Sequence, residues 1–160
     1  MPECVILVGL PASGKSSFYH ERFAATHDHV SKDLMRHNRH PQRRQEQLLG
    51  EALGAGRSVV VDNTNPSVSV RAPLIAVARA NGAEVVGYFF ETDAATALRR
   101  NRVREGRARV PDVAIFTTRK KLEPPTYEEG FDRLFDVTLD EQARIFHVRP
   151  RPHQPSRAHR

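Results

Sequence analysis

The stretch from Gly9 to Ser17, GLPASGKSS, constrains this chain more than any other. It follows the apolar run Cys4–Val8 and fits G-x-x-x-x-G-K-[ST], with Gly9, Gly14, Lys15 and Ser16 at the fixed places. An apolar run of that length ahead of a Gly-rich turn predicts a buried parallel strand feeding a helix. Glycine at the two ends of the turn permits torsions and close approaches that a side chain blocks. The loop over Pro11, Ala12, Ser13, Gly14, Lys15, Ser16 and Ser17 then turns its N–H groups inward around phosphate oxygens. A helix starting near Gly14 adds the positive end of its dipole. Lys15 reaches the β- and γ-phosphates, and the Ser16 hydroxyl holds Mg²⁺. The stretch therefore predicts an ATP or GTP site.

With 160 residues the chain reads as one domain with a real core. A net charge of +6 favours phosphate-bearing substrates or a polyanionic partner. Cys4 stands alone, so no internal disulfide forms, and a reducing, cytoplasmic setting is expected. No apolar run approaches the length of a membrane span, and no signal peptide or internal repeat is visible, so no membrane partner is expected.

Strand and helix patterns alternate along the chain. Helices are expected from Ser16 to about Thr26, Gln45 to Ala55, Ser67 to Asn81, Thr92 to about Arg104, and Pro111 to about Leu122. Strands are expected over 28–31, 58–62 and 84–90. A terminal hairpin pairs 135–139 with 145–148. Pro73 should kink its helix or mark its first turn. Thr126 and Glu129 have the spacing of a capping box. The pattern predicts an α/β fold, a mainly parallel sheet with helices on both faces. Residues 1–148 form the domain, and 149–160, rich in Pro, Arg and His, form a flexible basic tail.

In such sheets ligands sit beyond the carboxyl ends of the strands, where the phosphate loop, Asp33 and Asp62 should converge. Asp62 ends an apolar strand, the place for a carboxylate that holds a hydrated metal opposite Ser16. The alternative is an acid that caps a turn. Asp33 is a candidate general base for an acceptor hydroxyl, against the alternative of a solvated loop acid. The run Arg99, Arg100, Arg102, Arg104, Arg107 and Arg109 can supply cations from a mobile, Arg-rich lid. Most of these are expected to be a solvated face, but Arg100 and Arg104 are spaced to act together on one helix face. The pairs His27/His29 and His37/His40 lack the Cys or carboxylate partners of a zinc site and are expected to be satisfied or exposed.

Taken together, these residues resemble the kinase domain of the polynucleotide 5′-hydroxyl kinases, a branch of the P-loop kinases. Five ordered stretches carry the resemblance: GLPASGKSS, HVSKDLMR, VVVDNTNPSVSVR, RRNRVREGRARVP and TRKKLEPPTYEEGF. The resemblance implies a P-loop kinase fold and transfer of the γ-phosphate of ATP to a 5′-hydroxyl end of RNA or DNA. It implies that Asp33 is the general base and that Arg36 binds the phosphate adjacent to the reactive hydroxyl. Arg100 and Arg104 would be lid arginines on the ATP phosphates. Asp62 and Ser16 would position Mg²⁺, and Asn63, Thr64 and Asn65 would shape the floor of the site. Arg119 falls in a matching stretch without an assigned role. Family members are often fused to an end-healing phosphatase, and this chain has no D-x-D-x-T signature. Two other readings stand beside this one: a P-loop kinase of a small hydroxylated molecule, and an ATP-binding module without turnover.

Overall fold

The computed structural model describes residues 1–35 and 37–153, apart from the side chain of residue 107. Arg36 and residues 154–160 lie outside that description. Strands β1 (Glu3–Val8), β2 (Asp28–Val30), β3 (Val59–Val61), β4 (Glu84–Phe90), β5 (Arg133–Asp140) and β6 (Ile145–Pro150) form one sheet. Its order is β2-β3-β1-β4-β5-β6, parallel except for the β5/β6 hairpin. The helices are α1 (Lys15–Arg22), α2 (Pro41–Gly54), α3 (Val68–Ala80), α4 (Ala94–Arg102) and α5 (Asp112–Lys121). This is the expected α/β architecture with β1 central, so the loop after β1 lies in the middle of the sheet's carboxyl edge.

The sheet divides two cores because alternate strand residues face opposite sides. Ile6, Val8 and Val61 face Leu49 and Leu53 of α2 and Leu74 and Ala78 of α3. Val5, Leu7 and Val86 face Phe18 and Tyr19 of α1. Phe18 meets the rings of Phe23, Tyr88, Phe90 and Phe146 at centroid distances of 5.8, 5.3, 5.2 and 5.1 Å. Burying such a ring stabilises the fold by about 1.5–3 kcal/mol, and this holds the phosphate-loop helix against the sheet. A third, smaller cluster of Leu10, Ala97 and Ile115 joins α4 and α5 to the phosphate loop.

Several boundaries differ from expectation, each for a local reason. Helix α1 stops at Arg22, with Phe23 as its cap. Helix α2 starts four residues earlier than expected, at Pro41, whose fixed φ and missing N–H suit a first turn. Pro73 lies inside α3, near its exposed start, and Ser67 caps that helix by accepting from the Val70 N–H. Asp93, not Thr92, caps α4, its carboxylate accepting from the Thr96 N–H at 2.7 Å. Helix α4 ends at Arg102, so Arg104 lies beyond it and the expected shared helix face with Arg100 does not exist.

Strand β6 runs two residues past the expected domain boundary, to Pro150. Arg151 then donates its N–H to Leu134 O at 2.8 Å, and His153 stacks on Tyr127. The segment 149–153 is therefore part of the domain, because Asp136 and Tyr127 supply partners that composition does not reveal. Among the described residues no helix is long and apolar enough to cross a membrane.

Candidate active site

The phosphate loop leaves β1 at Gly9. A Cβ there would come within 2.9 Å of Phe90 Cβ, so only glycine fits. Gly14 adopts φ 98° ahead of α1, and a Cβ on it would press the Phe146 ring at 3.2 Å. Between them Lys15 folds over the loop. Its Nζ donates to Gly9 O at 3.1 Å, Leu10 O at 2.6 Å and Ser13 Oγ at 3.2 Å. Burial brings the Lys15 pKa down to about 8, against the opposing pull of Asp62 and Asp33.

Asp62 follows β3 and anchors its own N–H on Val30 O at 2.8 Å. Its Oδ2 accepts from Ser16 Oγ at 2.8 Å and meets His29 Nε2 at 2.8 Å. Burial alone would raise its pKa. The hydrogen bonds from His29 and Ser16, with the charge of Lys15, outweigh that and hold it below the usual carboxylate range. His29 is in turn stacked on Tyr19, with ring centroids 4.0 Å apart. It is one of the histidines expected to be satisfied, and its partner is the acid of the site. Nothing in the sequence pairs it with a residue 33 positions away.

The segment Asn63–Asn65 forms the floor. Asn65, in the left-handed region at φ 42°, sends Nδ2 back to Leu7 O at 2.8 Å, tying β1 to the end of β3. Thr64 O accepts the Gly9 N–H at 3.1 Å, so this loop and the phosphate loop are linked directly. Asn63 accepts the Lys32 N–H at 2.9 Å and donates to Gln45 Oε1 at 2.5 Å. That places the short helix Lys32–Met35, with Asp33, at the same edge.

These elements enclose an open cleft of about 610 Å³. Lys15, Ser16, Asp33, Asp62, Asn63 and Arg104 all line it. Arg104 reaches it from the segment after α4, with Nη1 donating to Ala108 O at 3.1 Å. Burial lowers the Arg104 pKa, while Asp33 and Asp62 favour its charge. Asn101, fully buried, holds this loop by exchanging hydrogen bonds with the Val110 backbone at 2.7 and 3.0 Å.

Arg100 is not among the cleft's lining residues. Its Nε donates to Glu141 Oε1 at 2.5 Å, on the β5–β6 turn, and Arg99 joins the same carboxylate at 2.9 Å. Arg99 and Arg100 thus share Glu141, while Arg104 turns to the cleft. Glu141 carries no motif, so the sequence offered no sign of this. Of the metal candidates, Ser16 and Asp62 present a hydroxyl and a carboxylate side by side. That hard-oxygen pair suits Mg²⁺ completed by water and substrate phosphates. Among the described residues, no three His, Cys, Asp or Glu side chains gather as a metal site of their own.

Residues 4–125 match the family described as AAA domain. A protein of Acanthamoeba polyphaga mimivirus, named as a bifunctional polynucleotide phosphatase/kinase, is 32% identical over 147 residues. The match covers 86% of this chain and 33% of that protein. The bifunctional polynucleotide phosphatase/kinase of Schizosaccharomyces pombe is 27% identical over 139 residues, covering 84% of this chain and 33% of that one. The chain thus spans about a third of the length of these curated relatives. Among solved structures, a gluconokinase from Sinorhizobium meliloti superposes with a TM-score of 0.60 at 22% identity. That superposition covers 86% of this chain and 82% of the gluconokinase, and shows a shared fold.

Proposed function

This chain belongs to the AAA-domain family and has a P-loop kinase fold, and from that premise we propose that it is a polynucleotide 5′-hydroxyl kinase. It transfers the γ-phosphoryl of ATP to a 5′-hydroxyl end of RNA or DNA. The observation that carries this reading is the single cleft shared by Lys15, Ser16, Asp33, Asp62 and Arg104. The two relatives named for polynucleotide phosphatase/kinase activity support the choice of acceptor.

In this reading the phosphate-loop amides and Lys15 hold the β- and γ-phosphates. Asp33 accepts the proton of the 5′-hydroxyl as its oxygen bonds to the γ-phosphorus. The bond from that phosphorus to the β–γ bridging oxygen breaks, and ADP leaves. Arg104 faces the charge that develops on the transferring oxygens. Arg36 takes the acceptor's adjacent phosphate. Ser16 and Asp62 would hold Mg²⁺, which would supply positive charge to the phosphate oxygens.

The test offers labelled ATP with a 5′-hydroxyl oligonucleotide, a nucleoside 3′-phosphate, the plain nucleoside, a sugar acid, and no acceptor. Label on the first two, with the plain nucleoside used far less well, is the expected result. Label only on the sugar acid or nucleoside would replace this reading with that of a small-molecule kinase. ADP release without any labelled acceptor would make it an ATPase.

A further inference from the structure

Charge is distributed unevenly over this domain, and the unevenness marks a surface. At the amino ends of the parallel strands the arginines are neutralised. Arg57 pairs with Asp28 at 3.0 Å and Arg79 with Asp132 at 3.1 Å. Arg133 joins Glu3 and Glu84 there as well. The opposite edge, which holds the cleft, is mixed: Arg99 and Arg100 share Glu141, but the cations beside α2 are uncompensated. Lys32, Arg39 and Arg43 have no ion-pair partner among the described residues, and both arginines are exposed.

The sequence explains why. From Leu34 to Gln45 there is no acid, while Arg36, His37, Arg39, His40, Arg43 and Arg44 all fall there. The segment is also fixed in place. Gln45, 1% exposed, is bonded to Asn63, and Asn63 to the Lys32 backbone, so the start of α2 sits beside the cleft that Lys32 and Asp33 line. Uncompensated cations repel one another and weaken the folded state unless an anion joins them.

We propose that Lys32, Arg39 and Arg43 form the path along which a single-stranded acceptor leaves the cleft, holding phosphates downstream of its first nucleotide. This rests on the polynucleotide reading and extends it from the reacting end to the strand behind it. Exposed arginines without base-reading geometry bind backbone rather than sequence. The surface should therefore confer a preference for length and a sensitivity to salt.

The experiment compares the full chain with the double variant Arg39→Ala/Arg43→Ala. Acceptors are a nucleoside 3′-phosphate and 5′-hydroxyl homopolymers up to about eight nucleotides, within the range of single-strand sites. For the wild type, kcat/KM should rise with length. The double variant should lose about tenfold or more on the longest acceptor and little on the nucleoside 3′-phosphate. Loss of two phosphate contacts should also flatten the dependence of log kcat/KM on log salt by about 1.4. The pair Arg57→Ala/Arg79→Ala, at the neutralised edge, should change none of these.

Equal loss on both acceptors, no loss on either, or no length dependence in the wild type would overturn the path while leaving the polynucleotide reading standing. If the wild type labels neither nucleic-acid acceptor and labels a sugar acid instead, both fall together.

Discussion

Lys15 shows how much of the site was legible at single residues and where that ended. Its place in the motif predicted a phosphate contact. The structure adds three hydrogen bonds to the loop and a pKa brought down to about 8 by burial. Lys15→Ala should leave the fold intact and lower phosphoryl transfer by about 10²-fold or more, as other charge-stabilising groups do. Circular dichroism with the labelled-ATP assay checks both halves, and a folded variant with near wild-type activity would sink the nucleotide-site assignment. Cys4 gives a second prediction at this scale. Burial, reinforced by Glu3, pushes its thiol up to about 12. The native protein should therefore resist thiol reagents at about pH 8, where the free thiol is partly ionised, and react only on unfolding. Fast labelling without denaturant would contradict that. Gly9, Gly14 and Asp62 could be read from spacing because their constraints are local. His29 and Glu141 could not, because each acts through a partner brought near only by the sheet.

At the scale of elements, two sequence patterns turn out to be halves of one clamp. The stretch DNTNPSVSVR places Arg71 in α3, and LEPPTYEEG places Glu123 and Glu129 after α5. Arg71, fully buried, donates to both oxygens of Glu129 at 2.7 and 3.0 Å and to Asn65 O at 2.9 Å. Glu129 also accepts the Thr126 N–H at 2.8 Å, so the expected box is formed and serves the clamp too. The Glu123 N–H donates to Pro66 O at 2.7 Å. The order of these motifs was visible in the sequence; their mutual contact was not, since it spans 58 residues. Removing one side of a buried ion pair leaves the other charge uncompensated. Arg71→Ala or Glu129→Ala should each cost about 3–5 kcal/mol in denaturant unfolding. The double variant should cost much less than the two losses added together. Additive losses would mean the two residues stabilise the fold independently. The end of α4 was misread at this same scale. A helix running to about Arg104 was expected to put Arg100 and Arg104 on one face, yet the chain leaves α4 at Val103, so Arg104 enters the cleft while Arg100 stays with Glu141.

For the whole molecule, alternation of strands and helices was enough to predict a parallel α/β sheet, because each apolar run is too buried for anything else. It did not give the order β2-β3-β1-β4-β5-β6, which depends on how the crossovers pack. Composition also misled at the far end, where Pro, Arg and His suggested a tail. Arg151 is instead held on several sides. Its guanidinium joins Asp136 at 2.5 and 3.2 Å and also donates to Pro125 O. Its carbonyl accepts from the Tyr127 hydroxyl. Edge strand β6 has a neighbour on one side only, and these contacts fix the chain where it leaves that strand. None of Arg151, Asp136, Pro125 and Tyr127 lines the cleft. Arg151→Ala should therefore separate stability from activity. Charge-assisted hydrogen bonds in a partly exposed setting are worth about 1–2 kcal/mol here, after discounting for solvent. In a domain of this size that lowers Tm by about 2–8 °C. The kcat/KM for ATP at a temperature well below Tm should stay within about twofold, since no cleft residue loses a partner. An unchanged Tm would return residues 149–153 to the status of a tail. A large loss of activity in a stably folded variant would show that the sheet edge reports to the cleft.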